Sequence, residues 1–353
     1  MEVGILCVLQ NFENRMTDTE LYETDMDILV SAEKLGFDSV AVVEHHFSNY
    51  GMAPDNMQIL SYVAAKTSTI KLMTGAVILP WNNPLRVVEK MILLDHLSGG
   101  RARFGMGRGL ARREYETFGI PMSEARDRFE EAAHMILEGL ETGIVEGEGP
   151  YYKQMRTEVR PGPLNSFKDR RYCVAMSPES IPLAIDTGST MLSFAQKPWA
   201  EMAPHFDFYR KGYAEKWDRP APAPICVDFV FCDESAERAE ELAREYIANY
   251  YKTILVHYEF AGEHFDKKVY GKYAKDAEVL RQVGYDAAAK AFVDVNTWGT
   301  PTQILEKLEQ RKKEIGDFAL TIEVSYGGMP KGVARQNMEL FARSVLPELH
   351  SWQ

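Results

Sequence analysis

Phe37-Asp38-Ser39-Val40-Ala41-Val42-Val43 runs without a break into Glu44-His45-His46-Phe47. The first seven residues have the apolar, β-branched character of a buried strand. The next four put a carboxylate and two imidazoles at its exit. Neighbouring side chains of a strand point to opposite faces, so His45 faces one way and Glu44 and His46 the other. Burying such groups is costly unless they have partners or a task, and in an α/β barrel this end of a strand is where active sites are built. A metal reading is weak. The zinc-binding His-Glu-x-x-His spacing is absent, and no Cys-x-x-Cys or His-x-x-x-His stands elsewhere to complete a cage. A structural, hydrogen-bonded histidine and a general acid–base histidine both fit the motif alone; the functional reading takes His45 as the acid–base group and Glu44, or a neighbour across the rim, as the group that sets its tautomer.

Strand-like and helix-like patterns alternate outward from this point. Strands are expected at 3–9, 38–43, 71–79, 102–107, 172–176, 190–194, 225–231 and 319–324. Periodic apolar segments near 19–35, 55–67, 84–97, 123–142, 179–187, 199–216, 234–256 and 331–349 read as helices, with Pro84 and Pro301 placed where a helix begins. Eight βα units favour a single (β/α)8 TIM barrel over a doubly wound sheet. That architecture typically needs about 250 residues, which leaves room in the 353 for insertions. Two are expected within one domain spanning 1–353. Residues 143–168, rich in Gly, Pro and Tyr, read as a loop or short hairpin. Residues 257–298, with Lys267, Lys268, Lys272 and Lys275 among aromatics, read as a lid or disordered loop, or as a solvated basic helix on the barrel's edge.

The 52 acidic against 40 basic residues leave a net charge of −12, spread along the chain, which argues against nucleic acid or an anionic membrane as partner. Cys7, Cys173, Cys226 and Cys232 are few, irregularly spaced and set in strand-like runs, as expected for reduced core thiols. The N-terminus has no basic region and only a short apolar run, and no stretch of about 18 apolar residues occurs, so a cytoplasmic protein is expected.

Gly105-Met106-Gly107-Arg108-Gly109 follows a strand but is not a dinucleotide fingerprint: its third glycine falls too early and no acidic residue follows at the right distance. It lets backbone approach a ligand closely beside one guanidinium, whose planar fork suits phosphate. A tight strand exit with a surface ion pair explains it equally well. Ala175-Met176-Ser177-Pro178-Glu179-Ser180 leads into a helix, where hydroxyls and free N–H groups attract an anion; plain N-capping is the alternative. Two such elements on one rim are better explained by a phosphorylated ligand. Thr74-Gly75-Ala76-Val77 offers a flat wall of small residues able to accept a planar ring. No triphosphate-binding loop and no Gly-x-Ser-x-Gly elbow is present.

Taken together, these segments resemble the bacterial luciferase-like, flavin-dependent monooxygenases, the alkanal monooxygenases among them. The resemblance runs through nearly the whole chain. It is carried by Glu44-His45-His46-Phe47; by Val77-Ile78-Leu79-Pro80 with Asn83-Pro84-Leu85-Arg86; by Leu93-Leu94-Asp95-His96-Leu97-Ser98-Gly99-Gly100-Arg101; by Phe104-Gly105-Met106-Gly107-Arg108-Gly109-Leu110; by Met176-Ser177-Pro178-Glu179-Ser180; and by Trp298-Gly299-Thr300-Pro301. The resemblance implies a (β/α)8 fold and a reaction in which reduced FMN from a separate NAD(P)H:flavin reductase, with O2 as co-substrate, oxygenates a small organic substrate through a flavin C4a-hydroperoxide. His45 matches the family's essential histidine. Gly75 and Ala76 match a pair joined by a cis peptide that supports the isoalloxazine ring. Arg108, Arg126, Glu179 and Ser180, with Met176 beside them, match positions around the FMN phosphate, and Phe194 matches an aromatic against the flavin. Residues 257–285 correspond to the mobile lid.

The chain departs from luciferase at three places. Gly107 stands where luciferase has a reactive cysteine, Ile181-Pro182 replace hydroxyl residues, and Tyr250 stands for a pocket tryptophan. Gly107 and Tyr250 are therefore substrate-side candidates, and Tyr250 with the different lid sequence leaves long-chain aldehyde preference and light emission without support from the resemblance. Two rival functions remain: a deazaflavin (F420)-dependent oxidoreductase, and a non-catalytic flavin-binding subunit. A homodimer or related heterodimer is expected, because Ser61, Ala64, Ala65 and Ser68 form a small-residue strip where relatives pair; packing on the barrel explains the strip as well.

Overall fold

The computed structural model describes residues 1–265 and 270–352. Eight parallel strands form its centre: β1 (Val3–Cys7), β2 (Ser39–Val42), β3 (Lys71–Thr74), β4 (Ala102–Gly107), β5 (Arg171–Val174), β6 (Thr190–Phe194), β7 (Ile225–Cys232) and β8 (Ala319–Glu323). Ile5 lies opposite Val40, Val40 opposite Leu72 and Leu72 opposite Ala102. The pairing continues from Phe104 to Arg171, from Cys173 to Met191 and from Leu192 to Ile225. Ile225 faces Ala319, and Ile322 returns to Ile5, so the sheet closes into a cylinder. With both faces covered, its strands are near-continuous apolar runs; all eight positions of β7 are buried, and so are all four cysteines, two of them on β7.

Local signals place the surrounding helices. Pro84 occupies the first turn of Pro84–Leu97, and the Asn83 side chain accepts from Arg86 N–H. Pro301 opens Pro301–Ile315 behind a Thr300–Gln303 capping box. Helix Ala125–Thr142 turns Phe129, Ala132, Ala133, Ile136, Leu137 and Leu140 inward, the 3.6-residue period expected of a helix lying on a core.

Several boundaries differ from the expected ones for identifiable reasons. β1 stops at Cys7 because the buried Glu323 carboxylate takes Val8 N–H at 2.9 Å. The run 71–79 breaks after Thr74 at a cis Gly75–Ala76 bond and resumes only at Val77–Ile78, which pairs with β4. Helix 55–67 ends at Ala64, because Glu33 draws in the N–H groups of Ser68, Thr69 and Ile70. The small-residue strip is therefore interrupted: Ala64 is buried in the core, and Ser68 lies beyond the helix. The helix 331–349 is split into Lys331–Ser344 and Leu346–Ser351, as Pro347 lacks an N–H and crowds the preceding turn.

The two insertions have regular structure. Ile144–Glu148 and Lys153–Glu158 form an antiparallel hairpin. The segment 257–298 holds two helices, Gly271–Val283 and Tyr285–Val295, in keeping with the helical one of its readings, although two helices stand where that reading has one; Lys267 and Lys268 lie outside the described residues. Among the described residues no helix is long and apolar enough to cross a membrane.

Candidate active site

The C-terminal ends of the barrel strands converge on one cavity of about 1100 Å³, a volume that includes its open mouth. The turn after β2 brings Glu44 and His45, the break after β3 brings Gly75 and Ala76, and β4 and its exit bring Gly107, Arg108 and Gly109. Met176 and Ser180 arrive from beyond β5, Phe194 from β6 and Phe229 from β7. Helix Ala236–His257 and the segment after it add Tyr250, Tyr258 and Phe260. A Cβ at Gly107 would come within 3.1 Å of Ile78 Cδ1, and Gly109 has φ +78°, so this wall stays thin only because these residues are glycine.

Around His45 the chain has built a hydrogen-bonded cluster. Its Nδ1 lies 3.1 Å from Glu114 Oε1, which also accepts the His46 backbone N–H at 2.8 Å. On the other side of the ring, Nε2 lies 3.3 Å from the Tyr258 hydroxyl. The ring meets Tyr50 and His257 edge-on, with centroids 4.8 and 5.0 Å away. Glu114 is almost wholly buried. Burial opposes its ionisation, but His45, His257 and the His46 amide outweigh that and hold its carboxyl below the usual carboxylate range. His257 moves the other way: burial, with the neighbouring His45 and Arg113, lowers it to about 3 against the pull of Glu114. It is therefore neutral near pH 7. Its Nδ1 is 2.9 Å from Ser48 Oγ, and its buried Nε2 has no hydrogen-bond partner.

Glu44 has a different place from the one expected of a tautomer-setting group. Oε1 accepts from Trp81 Nε1 at 2.7 Å and Asn82 Nδ2 at 2.8 Å and lies 3.1 Å from His46 Nε2, while Oε2 accepts Ile78 N–H at 3.0 Å. The carboxylate ties the exit of β2 to the Leu79–Trp81 turn, and its hydrogen bonds go to residues other than His45. The neighbour across the rim is Glu114. Neither Glu114 nor His257 stood out in the sequence, since one lies inside Ala111-Arg112-Arg113-Glu114-Tyr115 and the other ends a long helix. Only the fold brings His45 Nδ1, Glu114 Oε1 and His257 Nε2 within 4.8 Å of one another. Such a donor set could hold a metal ion, against the spacing argument from the sequence alone. The hydrogen bonds to Glu114 Oε1 nevertheless account for the arrangement without one.

Elsewhere on the cavity lining, the Arg108 guanidinium lies 4.6 Å over the Tyr270 ring, the residue that precedes helix Gly271–Val283. Ser177 and Ser180 exchange a hydroxyl hydrogen bond at 3.1 Å. Arg126 and Glu179 stand outside the cavity lining, joined by Arg126 Nη1 donating to the Glu179 carbonyl at 2.7 Å. Burial raises Glu179, but Ser177, Arg126 and Arg108 outweigh it and lower its carboxyl. Tyr250 donates to or accepts from Tyr50 at 2.7 Å and packs on Phe229 with centroids 3.9 Å apart.

A family model described as luciferase-like monooxygenase matches residues 1–317. The alkanal monooxygenase alpha chain of Photobacterium leiognathi is 25% identical over 341 residues, 94% of each chain. Among solved structures, monooxygenase RslO1 from Streptomyces bottropensis has a TM-score of 0.79 at 23% identity, over 99% of this chain and 100% of the other. The oxygenating constituent of 3,6-diketocamphane monooxygenase from Pseudomonas putida, a type II Baeyer-Villiger monooxygenase in complex with FMN, has a TM-score of 0.76 at 20% identity, over 99% and 98%.

Proposed function

From a chain that belongs to the luciferase-like monooxygenase family, we propose an enzyme that binds reduced FMN and uses O2 to oxygenate a small, largely apolar organic molecule. The observation that carries this reading is the cavity itself, which is lined both by an imidazole held at Nδ1 by a buried carboxylate and by the Arg108 guanidinium and the Ser180 hydroxyl.

The residues present fit that cofactor. The glycines at 75 and 107 leave a wall free of side chains where a planar ring would lie. Gly75, Ala76, Met176 and Phe194 would hold the ring, and Arg108 and Ser180, braced by Arg126 and Glu179, would hold the phosphate. The flavin supplies the activation of O2. His45 moves a proton at Nε2, the nitrogen that Glu114 does not hold, and Glu114 hydrogen-bonds Nδ1. Tyr258 orients that same Nε2. Phe229, Tyr250, Phe260 and Phe292 exclude water and give the substrate an aromatic enclosure, with Gly107 setting how closely it approaches.

Reduced FMN would come from a separate NAD(P)H:flavin reductase. A dimer is also part of this reading: Tyr62, Leu93 and Leu97 are exposed on the adjacent helices Asn56–Ala64 and Pro84–Leu97. The test is His45→Ala, assayed with photoreduced FMN, air and a panel of small ketones, aldehydes and amines. Retained FMN binding with loss of oxygenated product, and H2O2 released instead, is the expected result. Full product formation by the variant would remove His45 from the reaction. Turnover with reduced F420 and no O2 uptake would replace the reading with a deazaflavin-dependent one.

A further inference from the structure

A cavity that must keep water out poses a problem for an acid–base histidine, which has to recover its protonation state after every turnover. His45 lies in such a cavity, yet a second groove opens on the far side of the wall behind it. That groove is lined by Phe47, Ser48, Arg113, Lys252 and His257, and it shares Tyr50 with the main cavity. Between the two spaces runs a file of groups able to carry a proton, with one step wider than a hydrogen bond. His45 Nδ1 is 3.1 Å from Glu114 Oε1, Glu114 Oε1 is 3.7 Å from His257 Nε2, and His257 Nδ1 is 2.9 Å from Ser48 Oγ, which is partly exposed in the groove.

We propose that Glu114, His257 and Ser48 form a proton conduit that connects His45 to the solvent of the second groove without opening the main cavity. It rests on the reading of His45 as the group that moves a proton. The long middle step fits this role. With Nδ1–H donating to Ser48, the lone pair of His257 Nε2 faces an ionised carboxylate, and the two repel. When a proton passes from His45 Nδ1 to Glu114, the carboxyl becomes a donor and closes a hydrogen bond to that lone pair. As His257 Nε2 takes the proton, Nδ1 releases its own to Ser48 Oγ, and the Ser48 hydroxyl proton goes to water in the groove. One proton leaves His45, one enters water, and Glu114 returns to its anion; His257 is left as its Nε2–H tautomer and regains Nδ1–H before the next proton passes. His257 must hold no charge at rest for this, and burial, His45 and Arg113 keep it neutral. The buried, unpartnered Nε2 is otherwise unexplained.

The test uses the whole protein with 15N-labelled histidines and needs neither flavin nor substrate. NMR measures the exchange of the His45 ring N–H with water in wild type, His257→Gln and Ser48→Ala. Glutamine keeps a hydrogen-bonding group against Glu114 but cannot hand a proton from one ring nitrogen to the other. Exchange slowed on the order of tenfold or more in both variants is expected, with recovery in His257→Ala on adding imidazole. Unchanged exchange in both, or a loss in His257→Ala that imidazole does not restore, overturns the conduit. If His45 exchange depends on His257 while no flavin-linked oxygenation is found, the conduit stands and the functional reading falls.

Discussion

Replacing Glu44 by glutamine separates a structural carboxylate from a catalytic one. Four donors converge on Glu44: three at Oε1, from Trp81, Asn82 and His46, and Ile78 N–H at Oε2. Whichever way the new amide points, its NH2 group meets at least one of these donors head-on. One hydrogen bond is therefore lost beside an unsatisfied buried group, for about 1.5–3 kcal/mol. The others fall from charge-assisted to neutral, for roughly another 0.5 kcal/mol each. The sum is near 4 kcal/mol. With an unfolding entropy of about 2.1 cal/mol/K per residue over 353 residues, that lowers Tm by ~5 °C. Calorimetry of Glu44→Gln against Glu23→Gln, an exposed carboxylate, provides the comparison. A Glu44→Gln melting point within about 1 °C of wild type would refute the view that this carboxylate pins the Leu79–Trp81 turn to the exit of β2.

Two other substitutions address charge elsewhere. Asp25 is buried, and burial raises its carboxyl to about 7 despite the Ser325 hydrogen bond. Between its unfolded value of ~4 and that folded value, the native state binds the extra proton, so stability falls as pH rises across the window. Asp25→Asn should therefore melt higher than wild type at pH 8 and equally near pH 4; a constant difference at both pH values would contradict this. Arg108→Lys should weaken FMN by roughly tenfold, the loss of ~1.5 kcal/mol expected when a charge-assisted hydrogen bond goes, while riboflavin binding is unaffected. Fluorescence titration of both ligands checks it, and equal losses for the two would take Arg108 away from the phosphate.

The barrel was legible because its signal is repeated and local. Eight buried apolar runs, each followed by a helical period, leave few alternatives, and Asn83-Pro84 and Thr300-Pro301 marked helix starts by capping chemistry alone. Strand and helix ends were less legible where a distant carboxylate captured backbone N–H groups, as Glu323 does at Val8 and Glu33 does at Ser68–Ile70. The helices after Gly271 were ambiguous in the sequence, readable as a lid, a loop or a basic helix, because much of their packing is supplied by other elements: Tyr285–Val295 lies along Ala236–His257 rather than on the strands.

The site divides in the same way. His45, the Gly75-Ala76 wall and the Gly107-Arg108-Gly109 exit could be recognised in the chain because each sits at the end of its own strand, where local pattern and position coincide. Which carboxylate holds His45 could not: Glu44 is adjacent in sequence, but alternation and the Leu79–Trp81 turn direct its hydrogen bonds elsewhere. Glu114 is 69 residues away and His257 more than two hundred. Hydrogen bonding acts over about 3 Å of space whatever the separation along the chain. The order of residues thus determined the cylinder and the places where chemistry enters it, and only closure of the sheet decided which side chains come within reach of one another.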